Sequence, residues 1–315
     1  MDIDDFDDIR PAIISAVIVL NITLNVIVVA VFVKYPILLE DRTNLFMLSL
    51  TLSDLANGCT TMPISAAVCS RATPNARRMV QYLPKIQAAC SVWFNFNSMH
   101  SLCWVTVCKM VAITKPLRYE QLLTRSRCCI VISGIWISGV GTSLLLSPTV
   151  TNDFNFETCV YMNISDKPTV YVVLVLFALV FGLVLPLVVI VISTGTIFRV
   201  IVKTHRQIAV QTNSIAGYIS VENIPSLTLK SIRSGRNVLI ICLAYVLLTI
   251  PITAEVMFVI VGMENKLSSF VNFAAVWTLF CNSFVNSLLY LLLFRNIRSK
   301  ALSMLKECTN ICRSS

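Results

Sequence analysis

The sequence predicts an all-α membrane protein, a seven-transmembrane-helix bundle with a short amphipathic C-terminal helix. Three observations carry this. The 315 residues are 56% hydrophobic and only 13% charged, against roughly 25% charged in an ordinary soluble domain. Seven apolar stretches can be drawn, several of them longer than the roughly 20 residues that span a bilayer. The basic residues gather on alternate connections, which sets one orientation with the N-terminus outside. That distribution also accounts for the net charge of +9 without nucleic acid. The cations sit in short loops between apolar segments, where they fix topology and meet anionic lipid headgroups.

Residues 1–10 read as a short extracellular N-terminus. It is acidic at Asp2, Asp4, Asp5, Asp7 and Asp8, where a signal peptide would be basic. The first helix is therefore expected to act as its own insertion signal. Residues 11–293 make the membrane domain, with apolar segments near 11–34, 44–69, 81–112, 129–148, 168–202, 235–261 and 268–293. The third and fifth are long enough to tilt or to project from the bilayer. Lys34, Arg42, Lys109, Lys115, Arg118, Arg125 and Arg127 fall on the inside, with more bases in the loop at about 203–234 and in the tail. Arg10, Arg71, Arg77, Arg78, Lys85, Lys167 and Lys266 fall outside, a clear minority. Asn163-Ile164-Ser165 is a glycosylation sequon in the second extracellular loop. Asn21-Ile22-Thr23 has the same pattern, but inside the first helix, out of reach of the enzyme. The 203–234 loop is polar, with a middle expected to be flexible and ends that can continue the flanking helices. Residues 294–315 form the last helix and tail. Ile297, Ala301, Met304 and Leu305 share one face, which suits a helix lying in the membrane interface. Cys308 and Cys312 follow, close enough to the membrane for palmitoylation, or else simple free thiols.

The stretch from Met99 to Tyr119 is the most informative. It is apolar, surfaces at Lys109, and ends in Lys115-Pro116-Leu117-Arg118-Tyr119. Pro116 lacks an N–H and disfavours helix before it, so it helps end the segment. Ala112-Ile113-Thr114-Lys115-Pro116-Leu117-Arg118-Tyr119 resembles the Ala-Ile-x-x-Pro-Leu-x-Tyr run after the third helix of rhodopsin-like (class A) G-protein-coupled receptors. The likeness extends along nearly the whole chain: Trp136 in the fourth helix, Pro186 and Pro251 in the fifth and sixth, and Asn286-Ser287-Leu288-Leu289-Tyr290 for the family's Asn-Pro-x-x-Tyr. Asp54, the only acid deep in a helix, matches the acid that binds a sodium ion in the family. Asn25, Ser98, Asn282, Ser283 and Asn286 match its polar surroundings. A carboxylate among hydroxyl and amide oxygens suits a small hard cation. The alternative is a polar network that only packs helices together.

The departures fall in the parts that switch. Cys108-Lys109-Met110 stands where the family has Asp-Arg-Tyr. Lys109 keeps a charge but lacks the planar five-donor fork of Arg, and Cys108 cannot supply the neighbouring acid. The family's sixth-helix Trp is Thr249 here, and its fifth-helix Tyr is Thr194. A lost inactive-state lock would raise basal activity, whereas the lost Arg, Tyr and Trp would weaken coupling. The balance favours atypical or weak coupling. In the family a disulfide joins the top of the third helix to the second extracellular loop. Cys159 is the loop cysteine, but the helix position is Pro84. Cys90 lies about 9 Å deeper at about 1.5 Å per residue. A Cys69–Cys159 bridge and an unpaired Cys159 both stay open.

The resemblance implies a ligand pocket built from Ser91, Asn95, Thr249, Thr253, Glu255, Trp277 and Phe280. Ser91 stands where amine receptors carry the Asp that pairs with the ligand ammonium, so no amine ligand follows, despite loop wording like theirs. Phe280 stands where an opsin has its retinal Lys. The expected function is a plasma-membrane receptor that passes a signal from an unidentified extracellular ligand to a heterotrimeric G protein, or arrestin. Coupling would run through Cys108, Lys109, Met110, Pro116, Arg118, Lys230, Arg233 and Tyr290. A non-signalling decoy or partner-modulating protein is the alternative. A transporter or channel fits less well, since no internal repeat is visible and Asp54 is alone. An enzyme fits least: His100 and His205 are the only histidines and have no nucleophile or metal-ligand set around them. No cofactor is expected beyond a sodium ion at Asp54.

Overall fold

The computed structural model describes residues 3–69, 83–146, 158–160, 173, 176–177, 179–214, 226–260 and 268–314. Among these, eight long helices follow one another: α1 (Ile3–Lys34), α2 (Arg42–Cys69), α3 (Leu83–Thr114), α4 (Arg125–Leu146), α5 (Leu185–Ser214), α6 (Ser226–Ile260), α7 (Ser269–Leu293) and α8 (Arg295–Ser314). Short 3-10 turns at Pro36–Glu40 and Pro116–Arg118 follow α1 and α3. Both begin at a proline, whose fixed φ suits a first helical position.

Several bounds differ from the hydropathy pattern, each for a physical reason. α1 begins eight residues before the apolar run and passes through Pro11. A proline is disfavoured where its missing N–H and its ring fall in a helix interior, as those of Pro11 do, and hydropathy does not register where a helix begins. α5 and α6 each run past the expected membrane limits, so both ends of the 203–234 stretch are helical. Asn163 lies outside the described residues, as do the side chains of Lys230 and Cys312. A π-helical turn, Val180–Val184, leads into α5 just before Pro186. The wider turn relieves the clash of a proline ring with the carbonyl four residues back. Ser268 caps α7, its hydroxyl accepting from the Val271 N–H at 3.4 Å.

Among the described residues, α1, α4, α6, α7 and the stretch Val180–Thr204 are long and apolar enough to cross a membrane. The structure shows why α2 and α3 are more polar. α3 packs against α2, α4, α5 and α6, and α2 against α1, α3, α4 and α7. Their Ser, Thr and Asn side chains therefore face protein and find partners there, such as Ser49 with Ser101 (3.1 Å) and Trp136 Nε1 with Ser49 (3.1 Å). Apolar side chains such as Val33, Ile137, Val191 and Leu243 cover the outside, where lipid tails replace water as the solvent. α8 uses only part of its apolar face outwardly. Ile297 and Ala301 are buried against the end of the bundle, Met304 packs beside them, and Leu305 is exposed. A Lys34–Glu307 ion pair ties α8 to α1, with Lys300 over the Tyr35 ring at 4.6 Å.

Candidate functional site

Three places gather the chemically capable residues: mid-bundle, the end rich in Lys and Arg, and the opposite end.

In the middle, α1, α2 and α7 meet through polar side chains. Asn21 and Asn25 are four residues apart and so share a face of α1. Asn21 Nδ2 donates to the Asp54 carbonyl (3.0 Å) and meets Met62 Sδ (3.5 Å). Asn25 Nδ2 donates to the Asn21 carbonyl (2.9 Å) and the Ser283 carbonyl (3.2 Å), and Asn25 Oδ1 accepts from Ser287 (2.7 Å). Asn286 Nδ2 donates to Asp54 Oδ2 at 3.3 Å. Ser98 Oγ and Asn282 Oδ1 are buried without a hydrogen-bond partner. The arrangement thus joins Asn25, Asp54, Ser283 and Asn286 and adds two residues that the sequence reading missed, Asn21 and Ser287. Asn21 was visible only as an unusable sequon. Its signal was the four-residue spacing to Asn25. Gly58 makes the approach of α2 to α1 close enough: a Cβ there would sit 2.6 Å from Asn21 Nδ2.

At the basic end, Cys108 is fully buried and Lys109 is 8% exposed. The Lys109 ammonium donates to Asp41 Oδ2 at 2.9 Å. Asp41 immediately precedes α2, and its Oδ1 accepts from the Thr43 N–H (3.0 Å), a cap of that helix. The Tyr119 hydroxyl donates to the same oxygen at 3.3 Å. Burial alone would raise the Asp41 carboxyl. The Lys109 charge and hydrogen bond, helped by Thr43, outweigh it and hold that carboxyl below the usual carboxylate range. Burial, reinforced by the Asp41 charge, pushes the Tyr119 phenol above its ordinary range. Arg42 forms a separate pair with Glu120 (3.1 Å). Asp41 was missed by the sequence reading; its only local signal was an acid at a helix start. Met110 is half-buried, while Pro116, Arg118 and Arg233 are exposed. Tyr290 is completely buried, its hydroxyl unpartnered. Above this junction α6 is drawn in. A Cβ on Gly235 would sit 2.8 Å from Ile113 Cδ1 and 3.1 Å from Ile197 Cγ2, and Asn237 Nδ2 donates to the Leu293 carbonyl at 2.6 Å.

At the opposite end a disulfide joins Cys69 to Cys159, with Cα atoms 5.4 Å apart. It pins residues 158–160 inside the bundle, where all three are buried. The Trp277 indole N–H donates to the Thr158 carbonyl at 2.9 Å. Trp277 and Phe280 are buried in a cluster with Ile14, Met62, Cys159 and Val160, so both serve to hold the loop down. Ser91 and Asn95 bond each other along α3: Asn95 Nδ2 donates to the Ser91 carbonyl at 2.9 Å and its hydroxyl at 3.2 Å. Thr249 donates to the Tyr245 carbonyl (3.0 Å) and Thr253 to the Thr249 carbonyl (2.7 Å), both within α6. Glu255 is half-buried, and its Oε2 has no hydrogen-bond partner.

A family profile described as 7 transmembrane receptor (rhodopsin family) matches residues 24–290, most of the chain. The chain belongs to the rhodopsin family of seven-transmembrane receptors. This rhodopsin-family chain is 28% identical to the D(1)-like dopamine receptor of Takifugu rubripes over 158 residues, 48% of this chain and 32% of that protein. It is 30% identical to the D(1) dopamine receptor of Carassius auratus over 138 residues, 42% of this chain and 35% of that one. Against the 5-hydroxytryptamine receptor 2C of Mus musculus it is 27% identical over 133 residues, 42% of this chain and 28% of that protein. The chain thus spans about a third of the length of the curated relatives it matches. Membership makes the long helices a multi-pass membrane bundle, and it places the chain among receptors rather than enzymes.

Proposed function

We propose that this protein is a plasma-membrane receptor, N-terminus outside, that passes an extracellular ligand signal to heterotrimeric G proteins, with arrestin as a second partner and with atypical coupling. The observation that carries the reading is the closed cleft at the basic end. α6 is packed on α3 and α5 at Gly235, and the exposed Arg118 and Arg233 stand at that end. A ligand that binds better to an arrangement with α5 and α6 moved outward would open this cleft to an intracellular partner. The atypical coupling rests on Cys108-Lys109-Met110 in place of Asp-Arg-Tyr. Lipid contact rests on the exposed apolar side chains of the helices and on α8.

The ligand site is at the disulfide end. The relatives bear the names of dopamine, octopamine and 5-hydroxytryptamine receptors, but Ser91 stands where an amine receptor places its α3 acid. Glu255, with its unpaired Oε2, is the acid available on α6 to a cationic ligand. A sodium ion fits the middle of the bundle: Asp54 supplies a carboxylate, and the buried Ser98 hydroxyl has no other partner. An ion held there would favour the closed arrangement.

The test is basal activation of each G-protein class in cells displaying the protein, beside the double change Cys108→Asp/Lys109→Arg. The reading expects a wild-type signal, or a signal gained on the change. Silence of both in the presence of broad ligand screening would overturn G-protein coupling and favour a non-signalling decoy.

A further inference from the structure

We infer that Asp41 is the positioning residue for Lys109: a carboxylate supplied from the start of α2 stands in for the acid missing at Cys108 and holds the Lys109 ammonium while the cleft is closed. The inference rests on the receptor reading above for its consequence, and on geometry alone for the pairing.

Lys109 has a buried stem on α3, and its ammonium meets Asp41 Oδ2 at 2.9 Å. The other oxygen of Asp41 is fixed from two further elements, by the Thr43 N–H of α2 and by the hydroxyl of Tyr119, which follows the Pro116–Arg118 turn. The carboxylate is thus oriented before Lys109 reaches it. The nearby acid Glu120 is engaged by Arg42. Cys108, the immediate neighbour, is buried among apolar groups and carries no charge to offer. In the same structure the cleft is shut at Gly235. A partner entering the cleft and calling on Lys109 has to take it from Asp41. Asp41 therefore favours the closed state by whatever its bond to Lys109 contributes there and not in the open one. An unmatched Lys109 would be a buried cation with nothing to satisfy it, and Asp41 meets that need from one element away.

The experiment is a double-mutant cycle on the full-length receptor, read by thermal unfolding in lipid nanodiscs and by basal G-protein activation in cells. Asp41→Asn removes the charge but keeps a side chain as good at capping a helix. Lys109→Gln removes the other partner. Asp41→Asn is expected to raise basal activation about fivefold and to lower the unfolding midpoint by about 2–4 °C. With Gln at 109, Asp41→Asn should change neither. Equal midpoint losses on Asp41→Asn with Lys or Gln at 109 would overturn the pairing. A non-additive midpoint with a wild-type basal signal that Asp41→Asn leaves unchanged would overturn the positioning role. Absence of signal from every variant would count against the receptor reading, while the midpoints still decide the pairing.

Discussion

The middle of the bundle and its basic end both bury a charged residue, and they handle it differently. Asp54 sits among Asn and Ser side chains from α1, α3 and α7, and its carboxylate accepts from Asn286, a neutral amide. Lys109 has an ion partner, Asp41, whose other oxygen is tied to a helix start and to Tyr119, which opens the short helical turn Tyr119–Leu122. Deep in the membrane, with no water to fall back on, satisfaction has to come from many short dipoles held by close helix contacts. At the end, where one side of the pair reaches water, a single opposite charge suffices, and it can be released. The first arrangement suits a fixed core and the second suits a switch.

The same substitution made in both places separates them most strongly. Gly58→Ala would press a methyl onto Asn21 Nδ2, an amide already held by the Asp54 carbonyl. It is expected to destabilise the receptor by about 2–3 kcal/mol, seen as a lower unfolding midpoint and reduced surface display. A wild-type midpoint would show the network to be loose. Asn25→Ala comes next. It strips the partner from Ser287 Oγ and the link from α1 to the Ser283 carbonyl, at a cost of about 1–2 kcal/mol. Thermal unfolding beside Ser287→Ala measures it, and the double variant should cost less than the two singles together.

Gly235→Ala should be milder. The methyl would meet the ends of the Ile113 and Ile201 side chains, which can yield, and the branch methyl of Ile197 at 3.1 Å, and Ala gains up to about 1 kcal/mol over Gly in a helix. The stability should stay within about 1 kcal/mol of wild type, with α6 eased outward and basal signalling raised about twofold. Unchanged signalling would show that this contact does not hold the cleft shut. The smallest effect is the response to acid. The Asp41 carboxyl is held below its ordinary range, so its contribution is complete above the ordinary carboxylate pKa, near 4. It is lost as pH falls through the lowered value. Stability of the purified receptor should therefore fall more steeply below pH of about 4 in wild type than in Asp41→Asn. Parallel curves would deny Asp41 its charged partner.

The same comparison shows what could be read in advance. Asp54, Asn25, Ser283 and Asn286 were legible because an acid or amide inside an apolar run is conspicuous, and because the family's order of residues singled them out. Asn21 was hidden by a coincidence of pattern, and Ser287 by standing where the family has a proline. Asp41 was hidden because an acid in a polar connection is ordinary, and nothing local says which of the nearby cations it will meet. Trp277 and Phe280 were legible as large rings near the outer end of α7, but their neighbours were not. They pack with the loop that Cys159 anchors.

By itself the sequence determined the class of fold, the sites of most membrane helices and the family. Those follow from hydropathy over some twenty residues at a time and from side chains at fixed spacing along one helix, both local properties of the chain. Tertiary structure alone decided that Cys69 meets Cys159, that Trp277 bonds the loop, that Asn21 lies against Gly58, and that Asp41 holds Lys109. Each of these joins residues between 37 and 119 positions apart. Such pairs are set by how helices rotate and approach once packed, and no periodicity within a single segment encodes that.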